Sequence, residues 1–502
     1  MSFSERINLH ASIDKIARLL TFQGKQGYIV GGFVRDQLLG RETNDIDIAV
    51  NGDAINIAHE VAKDIGGRFV LLDDVNRVAR IVITVEDAQQ WHLDFSSFSG
   101  DINSDLARRD FTINAMAVEL GEADVIFSMV KQSQAKLIDP FSGKEDLHNG
   151  IIRAVSQQVF EVDAIRMLRA LRLAAELDFS IEPETESLIR RYSQSIDKVP
   201  GERVREELLR LLILPRASQH LRYLDDLGLL MALIPELAES KGVEQPTTHY
   251  WDVFEHSMQT VAAIEFLIRE SFWEYGTKKV LTTAPWSVRI DEHLSQEVSS
   301  GSNRKVLLKL AGLLHDIAKP MTKTVEPTGR ARFLGHTKQG AAITADILER
   351  MRFSNREISL VETLVYYHLR PAQMTNEDLP TQRAIYRYFR DTDDAGIDIL
   401  ILALADYLAT CGPHLNTEEW KGHCRLMKYV LTEHDKQQVN ILPVKLIDGH
   451  DIINIFGLTA GPLIGELLAT VRESQASGEL DSKEEALALI QSELNRYTVK
   501  QR

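Results

Sequence analysis

The sequence predicts a mixed α/β domain at the N-terminal end followed by a long all-helical remainder. Residues 1–150 hold short β-branched runs bounded by turns, apolar residues fall at helical spacing from about Glu161, and helical patterns continue to the C-terminus. The strand-like runs are Tyr28–Val30, Ile46–Val50, Arg68–Leu72 and Val78–Val85, with a helical pattern over Ala54–Ile65. Ile165, Leu168 and Leu171 open the helical part, and Glu202–Ile213 is a further amphipathic stretch. Residues 274–304, containing Thr282-Thr283-Ala284-Pro285 and Ser299-Ser300-Gly301-Ser302-Asn303, read as a long exposed loop. Pro443 breaks the pattern before a last helical section. The expected divisions are 1–150, 151–240, 241–430 and 431–502.

A chain of 502 residues predicts roughly two to four domains. Its 44% hydrophobic and 26% charged content is that of ordinary globular proteins. With no apolar run of about 18 residues, no membrane span is expected. The segment Met1–His10 lacks the apolar core of a signal peptide. Cys411 and Cys424 cannot form a disulfide framework, and a reducing cytoplasm fits. A formal net charge of -16 argues against a protein that coats nucleic acid non-specifically. It leaves room for a local basic face, and for acidic sites neutralised by metal ions.

Gly31-Gly32 follow the strand Tyr28–Val30 and precede a helix expected through Leu39. Such a turn aims backbone N–H groups at an anion, and Arg35-Asp36 add a charge pair one helical turn on. Next comes Asp45-Ile46-Asp47. In a strand, residues i and i+2 share a face, so two carboxylates repel there unless a cation lies between them. Mg²⁺ binds through one or two carboxylates plus substrate phosphates. Asp94, in the strand-like Trp91–Phe95, is the expected third carboxylate. Alone, Asp-x-Asp could be a polar strand edge; Gly-Gly at a fixed short interval before it favours phosphate chemistry.

Gly31–Val50 resembles the signature of the class II tRNA nucleotidyltransferase and bacterial poly(A) polymerase family, within the polymerase-beta superfamily. Further segments match in order. Arg108-Arg109-Asp110-Phe111-Thr112-Ile113-Asn114-Ala115 resembles the motif that contacts nucleotide sugar and phosphates, which implies roles for Arg108, Asp110 and Asn114 beside Gly31, Gly32 and Arg35. Asp139-Pro140-Phe141-Ser142-Gly143 resembles the segment that follows. Asp163-Ala164-Ile165-Arg166-Met167-Leu168-Arg169-Ala170 is similar to the base-selecting motif, so Asp163, Arg166 and Arg169 are expected at the nucleotide. Asp163 and Arg166 would share a helix face at i and i+3, an acceptor and a planar donor presented to a nucleobase edge. The family has an acid directly before this Asp; here Val162 stands there, with Glu161 one step earlier. Arg203–Leu208 resembles a helix-stabilising motif. The resemblance implies a polymerase-beta-like mixed-sheet head, an all-α neck, body and tail, and two-metal transfer from Asp45 and Asp47.

His256, His315-Asp316, His336, His368 and Asp406 form a second ordered series. His315-Asp316 interrupts an otherwise apolar helix, and burial there is costly unless the pair is matched or ligates metal. The series resembles the HD phosphohydrolase superfamily, which implies a second divalent transition metal and a phosphatase or phosphodiesterase activity. Cys411-x-x-His414 with His423-Cys424 lacks the spacing of a standard zinc finger.

Family members add CCA, CC, A or poly(A). Those that add the terminal A carry a flexible loop between the third carboxylate and the Arg-Arg-Asp motif. Here that interval, Phe95–Ala107, is 13 residues without a long charged insert, and it resembles the CC-adding members. Asp448–Ile452 and Gly461–Gly465 resemble the tail of HD-bearing tRNA nucleotidyltransferases rather than poly(A) polymerases. The implied partners are tRNA and CTP, with ATP next in line, and neither DNA nor membrane; the implied metal is Mg²⁺. Full CCA addition, poly(A) synthesis, and an HD hydrolase with a vestigial head are the alternatives.

Overall fold

The computed structural model describes residues 3–84, 90–122, 137–374, 379–439, 445–476 and 478–500. Contacts divide the chain into two compact units, Met1–Val199 with Tyr223–Leu233, and Pro200–Arg222 with Ile234–Arg502.

The first unit is built on a six-stranded mixed sheet. Its strands are β1 (Gly27–Val30), β2 (Asp45–Asn51), β3 (Arg68–Asp73), β4 (Val78–Thr84), β5 (Gln90–Phe98) and β6 (Ala117–Glu119), in the order β3-β4-β5-β2-β1-β6. β2 and β5 run parallel; the other neighbours are antiparallel. Val85 lies outside the described residues. Period-two alternation decides the faces. Ile46, Ile48, Leu93, Phe95, Ala79 and Ile81 are buried on one. That face packs against helix α3 (Ala54–Ile65), whose buried residues Ile57, Ala58, Val61 and Ala62 form its apolar stripe. Asp53 caps α3 by accepting from the Ile55 and Asn56 amides, and Gly66 ends it with φ +74°. The opposite face is apolar at one end, where Tyr28, Val30, Ala49 and Phe98 pack under Ile102 and Leu106. At the other end it is polar, and there the carboxylates stand.

In the second unit, helices Val253–Leu267, Arg304–Leu314, His336–Arg350, Asn355–Tyr367 and Gly396–Cys411 pack on one another. The stretch Gln382–His414 is apolar and long enough to cross a membrane, but 67% of its apolar window is buried in the protein, as in a core helix. Helices Gly449–Phe456, Pro462–Ala476 and Lys483–Lys500 share a smaller core around Ile452, Leu467 and Ile490. Arg383, Arg387 and Arg390 all converge on the buried carboxylate of Glu473. Pro443 lies outside the described residues.

Two expectations are corrected. Residues 274–304 are not a long exposed loop. They form helices Lys278–Thr283 and Val288–Leu294, capped by the Thr277 and Ser287 hydroxyls, and a short hairpin of Glu297–Ser299 with Ser302–Asn303. Val280, Ile290 and Leu294 are buried; Thr282 and Thr283 lie within the first of these helices, and Ser299 and Ser302 pair in the hairpin. Asp163 and Arg166 do not share one helix. The helix Val159–Val162 ends at Asp163, which is extended at φ −154° and ψ 103°, and the next helix begins at Arg166.

Gly143 marks where the segment after the Arg-Arg-Asp motif docks. A Cβ there would lie 2.1 Å from the Thr112 carbonyl oxygen, and backbone cannot yield as a side chain can. Gly143→Ala is expected to destabilise the first unit by about 1–3 kcal/mol, the cost of overpacking. An unchanged melting transition would refute the close approach.

Candidate active site

The carboxylates are set by strand register. Asp47 on β2 is the partner of Asp94 on β5, and Asp45 is the partner of His92. Asp45, Asp47, His92 and Asp94 therefore share one face, as the i, i+2 spacing predicted. Asp45 is largely exposed and meets His92 Nδ1 at 2.8 Å. Asp94 is held by Arg80, with Nε–Oδ1 and Nη2–Oδ2 both 2.7 Å. The Asp47 carboxyl is pushed up, first by burial and further by Asp94 and Asp45, against the pull of Arg109 and Arg169. A carboxylate under such repulsion gains from a cation, so the donor set fits a divalent ion.

Gly31 lies directly beside this group. It adopts φ +72°, and a Cβ there would lie 2.7 Å from Arg109 Nη1 and 3.0 Å from Asp47 Oδ2. Glycine is therefore required twice over, by backbone conformation and by space. Gly32 begins the short helix α2 (Gly32–Leu38) that carries Arg35.

Arg35, Asp110, Asn114 and Arg169 form a chain of paired groups. Arg35 donates to both Asp36 oxygens and to Asn114 Oδ1 at 2.8 Å. Asn114 Nδ2 donates to Asp110 Oδ1 at 3.1 Å, and Arg169 donates to Asp110 Oδ2 from Nε and Nη2. Burial alone would raise the Asp110 carboxyl, but Arg169, Asn114 and the Phe111 amide hold it below its ordinary value. Arg166 donates to the Arg108 carbonyl at 2.9 Å, and Arg108 itself is largely exposed. Glu161 is paired with the Tyr192 hydroxyl, and Val162 is exposed.

Sequence reasoning missed three residues in this group: Arg80, His92 and Arg109. The signals were present. Arg80 is the single charge in the strand-like Val78–Val85, His92 sits two residues before Asp94, and Arg109 lies inside a motif already singled out.

The second series also converges. His256 Nε2 is 3.2 Å from His315 Nε2 and 3.0 Å from Asp406 Oδ1. Asp316 approaches His315 at 3.2 Å, His336 at 3.5 Å and His368 at 3.8 Å. The Nδ1 atoms of His315, His336 and His368 contact the carbonyls of Gly312, Phe333 and Val365. That arrangement turns each Nε2 toward Asp316, as the outer contacts of metal-bound imidazoles do. Asp316 is buried; its Oδ2 is paired with Lys319 Nζ at 2.5 Å, while its Oδ1 and His336 Nε2 make no hydrogen bond among the described residues. Burial lowers His256 and His336, and takes His368 down to about 4, favouring the neutral, ligating form. Asp316 is held well below its ordinary value, since His315 and Lys319 outweigh burial. Asp316, His336, His368 and Asp406 line a cavity of about 650 Å³ with Lys319, Arg330 and Arg332 among its walls. Among the described residues, Cys411, His414, His423 and Cys424 form no metal-holding group.

Asp110→Asn tests the paired chain. A depressed carboxylate contributes stability above its unfolded pKa and loses it as pH falls through the lower folded value. The variant should be about 1–3 kcal/mol less stable at pH 7, discounted for the partial exposure of Arg169. The deficit should shrink below about pH 4. Chemical denaturation at the two pH values measures it, and a pH-independent deficit would contradict the pairing.

Three family models match the chain. The Poly A polymerase head domain matches residues 27–153, the "Probable RNA and SrmB-binding site of polymerase A" matches residues 178–241, and the HD domain matches residues 277–411. Among curated relatives, the A-adding tRNA nucleotidyltransferase of Deinococcus radiodurans is 32% identical, over 92% of this chain and 94% of its own. The CC-adding tRNA nucleotidyltransferase of Thermus thermophilus is 32% identical, over 93% of each chain. Among solved structures, a CCA-adding enzyme in complex with ATP aligns with a TM-score of 0.64 at 22% identity, covering 99% of this chain and 95% of that one. A CCA-adding enzyme of Thermotoga maritima complexed with tRNA aligns at 0.59 and 22% identity, over 96% and 94%. These structures share the mixed-sheet head and helical remainder. With this identity sustained along nearly its whole length, the chain belongs to the tRNA nucleotidyltransferase family, enzymes that transfer phosphorus-containing groups and use divalent metal ions.

Proposed function

We propose that the protein adds two cytidines from CTP to the 3′ end of tRNA without a nucleic-acid template. The observation that carries the CC reading is the interval between Asp94 and Arg108. β5 runs on to Phe98, and Asp101 caps the helix Ile102–Leu106, which buries Ile102 and Leu106. Little of the 13 residues is left for the flexible loop of members that add the terminal A. A second reading, addition of A alone, is favoured by the A-adding Deinococcus radiodurans relative.

The proposed roles follow from the geometry. Asp45 and Asp47 hold Mg²⁺, which when bound activates the attacking hydroxyl and offsets charge on the leaving pyrophosphate. Gly31 and Gly32 keep the turn clear of side chains, so the triphosphate approaches backbone closely. Arg108 and Arg109 supply charge beside it. Asp163 and Arg166 present an acceptor and donors to the base, held by the break between their helices and by the bond from Arg166 to the Arg108 carbonyl. Arg35, Asp110, Asn114 and Arg169 fix these pieces relative to one another. Transfer of this kind depends on positioning and charge stabilisation more than covalent chemistry.

The test is sequencing of products from CTP and ATP on tRNA lacking its end and on tRNA ending in CC. Two cytidines on the first and nothing on the second is expected. Terminal A on the second would overturn the CC reading, and no incorporation on either would overturn both. Asp45→Ala should abolish incorporation and His315→Ala should leave it intact.

A second activity is favoured by the convergence of these imidazoles and carboxylates, with Asp316 Oδ1 and His336 Nε2 buried and without a hydrogen bond among the described residues. His256, His315, Asp316, His336, His368 and Asp406 would hold a divalent transition metal, which supplies a hydroxide nucleophile for phosphoester hydrolysis. His315→Ala should lower hydrolysis of a 2′,3′-cyclic nucleotide by at least about tenfold, with Asp45→Ala unaffected. Wild-type protein that neither retains metal nor hydrolyses the ester would exclude it.

A further inference from the structure

Asp94 was expected to complete the metal set, yet its carboxylate is already matched. The ladders place Arg80, Asp94 and Asp47 in one row, since Arg80 is the register partner of Asp94 across β4–β5 and Asp94 is that of Asp47 across β2–β5. The guanidinium meets Asp94 edge to edge through two 2.7 Å bonds. The side chains of Arg80 and Asp94 are 31% and 21% exposed. A two-bonded pair of this kind fixes the carboxylate plane as well as its charge. The Arg80 charge is favoured first by the bond to Asp94 and further by Asp45 and Asp47, so it lies in the field of all three acids. A divalent ion between Asp45 and Asp47 meets the same field, and it is repelled by the guanidinium while the pull of Asp94 is cancelled.

We propose that Arg80 is a positioning residue that occupies the third carboxylate as an internal counter-ion and keeps affinity for free divalent ions at Asp45 and Asp47 low until nucleotide phosphates arrive. The inference rests on the assignment of metal to Asp45 and Asp47. It divides labour among the three acids: two face the ion, while the third is a paired anion whose orientation Arg80 sets. Nucleotide then contributes the negative charge that Asp94 does not, so the ion-binding group becomes complete only with substrate present.

The experiment is a Mn²⁺ titration of the full-length protein without nucleotide, followed by electron paramagnetic resonance of the free ion. The relevant sites are those lost in Asp45→Ala, which separates them from any ion held by the histidine cluster. Arg80→Met should tighten Mn²⁺ at these sites by about three- to tenfold, the effect of removing a partly screened charge a few ångström away. Arg80→Gln should do the same, and Arg80→Lys, which keeps the charge, should not. Asp94→Asn alone, which leaves the guanidinium unmatched, should weaken Mn²⁺ at the same sites. A folded Arg80→Met or Arg80→Gln protein that binds Mn²⁺ no tighter than wild type would overturn the proposal, as would an Asp94→Asn protein that binds Mn²⁺ no more weakly than wild type. If Asp45→Ala loses no Mn²⁺ site, the metal assignment fails first and takes this proposal with it. If the Mn²⁺ shift appears but tRNA is not extended, the inference stands and the functional reading fails.

Discussion

Like charges crowded on one face of a sheet are the constraint around which the first unit is organised. Parallel pairing of β2 with β5 puts Asp47 beside Asp94, one strand spacing apart, with Asp45 two residues away. No cationic Arg or Lys stands on β2 or β5 to relieve that repulsion, so their neighbours must. Arg80 answers it from β4, and Arg109 reaches in from the segment after β5, beside Gly31. Even so, the Asp47 carboxyl remains raised. Burial is the first cause, Asp94 and Asp45 add to it, and a divalent cation on this face would offset both.

The histidine cluster meets the same difficulty by a different route. Asp316 is buried, and the imidazoles of His315, His336 and His368 are turned inward because their Nδ1 atoms lie against backbone carbonyls. Gly312, Phe333 and Val365 supply those carbonyls, each three residues before its histidine. Gly312 and Val365 lie in the last turns of their helices, where carbonyls lack intrahelical partners, and Phe333 ends a short strand. Apolar helices thus carry a polar centre without a dedicated scaffold, with Asp316 paired to Lys319 at its middle.

The sequence made the head legible because strand and turn chemistry are local. β-branched runs, Gly31-Gly32, and Asp45 and Asp47 at i, i+2 each fix their geometry within a few residues, and the helix Ala54–Ile65 appears with those bounds. The histidine series was legible through its order and its apolar setting. Residues whose meaning depends on a register partner were not. Arg80 is an unremarked charge in a strand until β4 pairs with β5. Asp163 looks helical by spacing, and only the tertiary setting reveals the extended residue between two helices. The segment 274–304 misled because Ser, Thr and Pro serve equally in loops and at helix starts, and its buried Val280, Ile290 and Leu294 are too sparse to announce a core.

The chain of contacts from Arg35 through Asn114 and Asp110 to Arg169 joins helix α2, which follows the glycine turn, to the helix that begins at Arg166. Under the proposed roles it acts as a gauge of fixed length between the part assigned to phosphate and the part assigned to base. A protein that reads a nucleobase by its own side chains has no complementary strand against which to register the incoming nucleotide. Its dimensional standard must lie within the chain, and fidelity therefore depends on how little this internal spacing varies between one addition and the next.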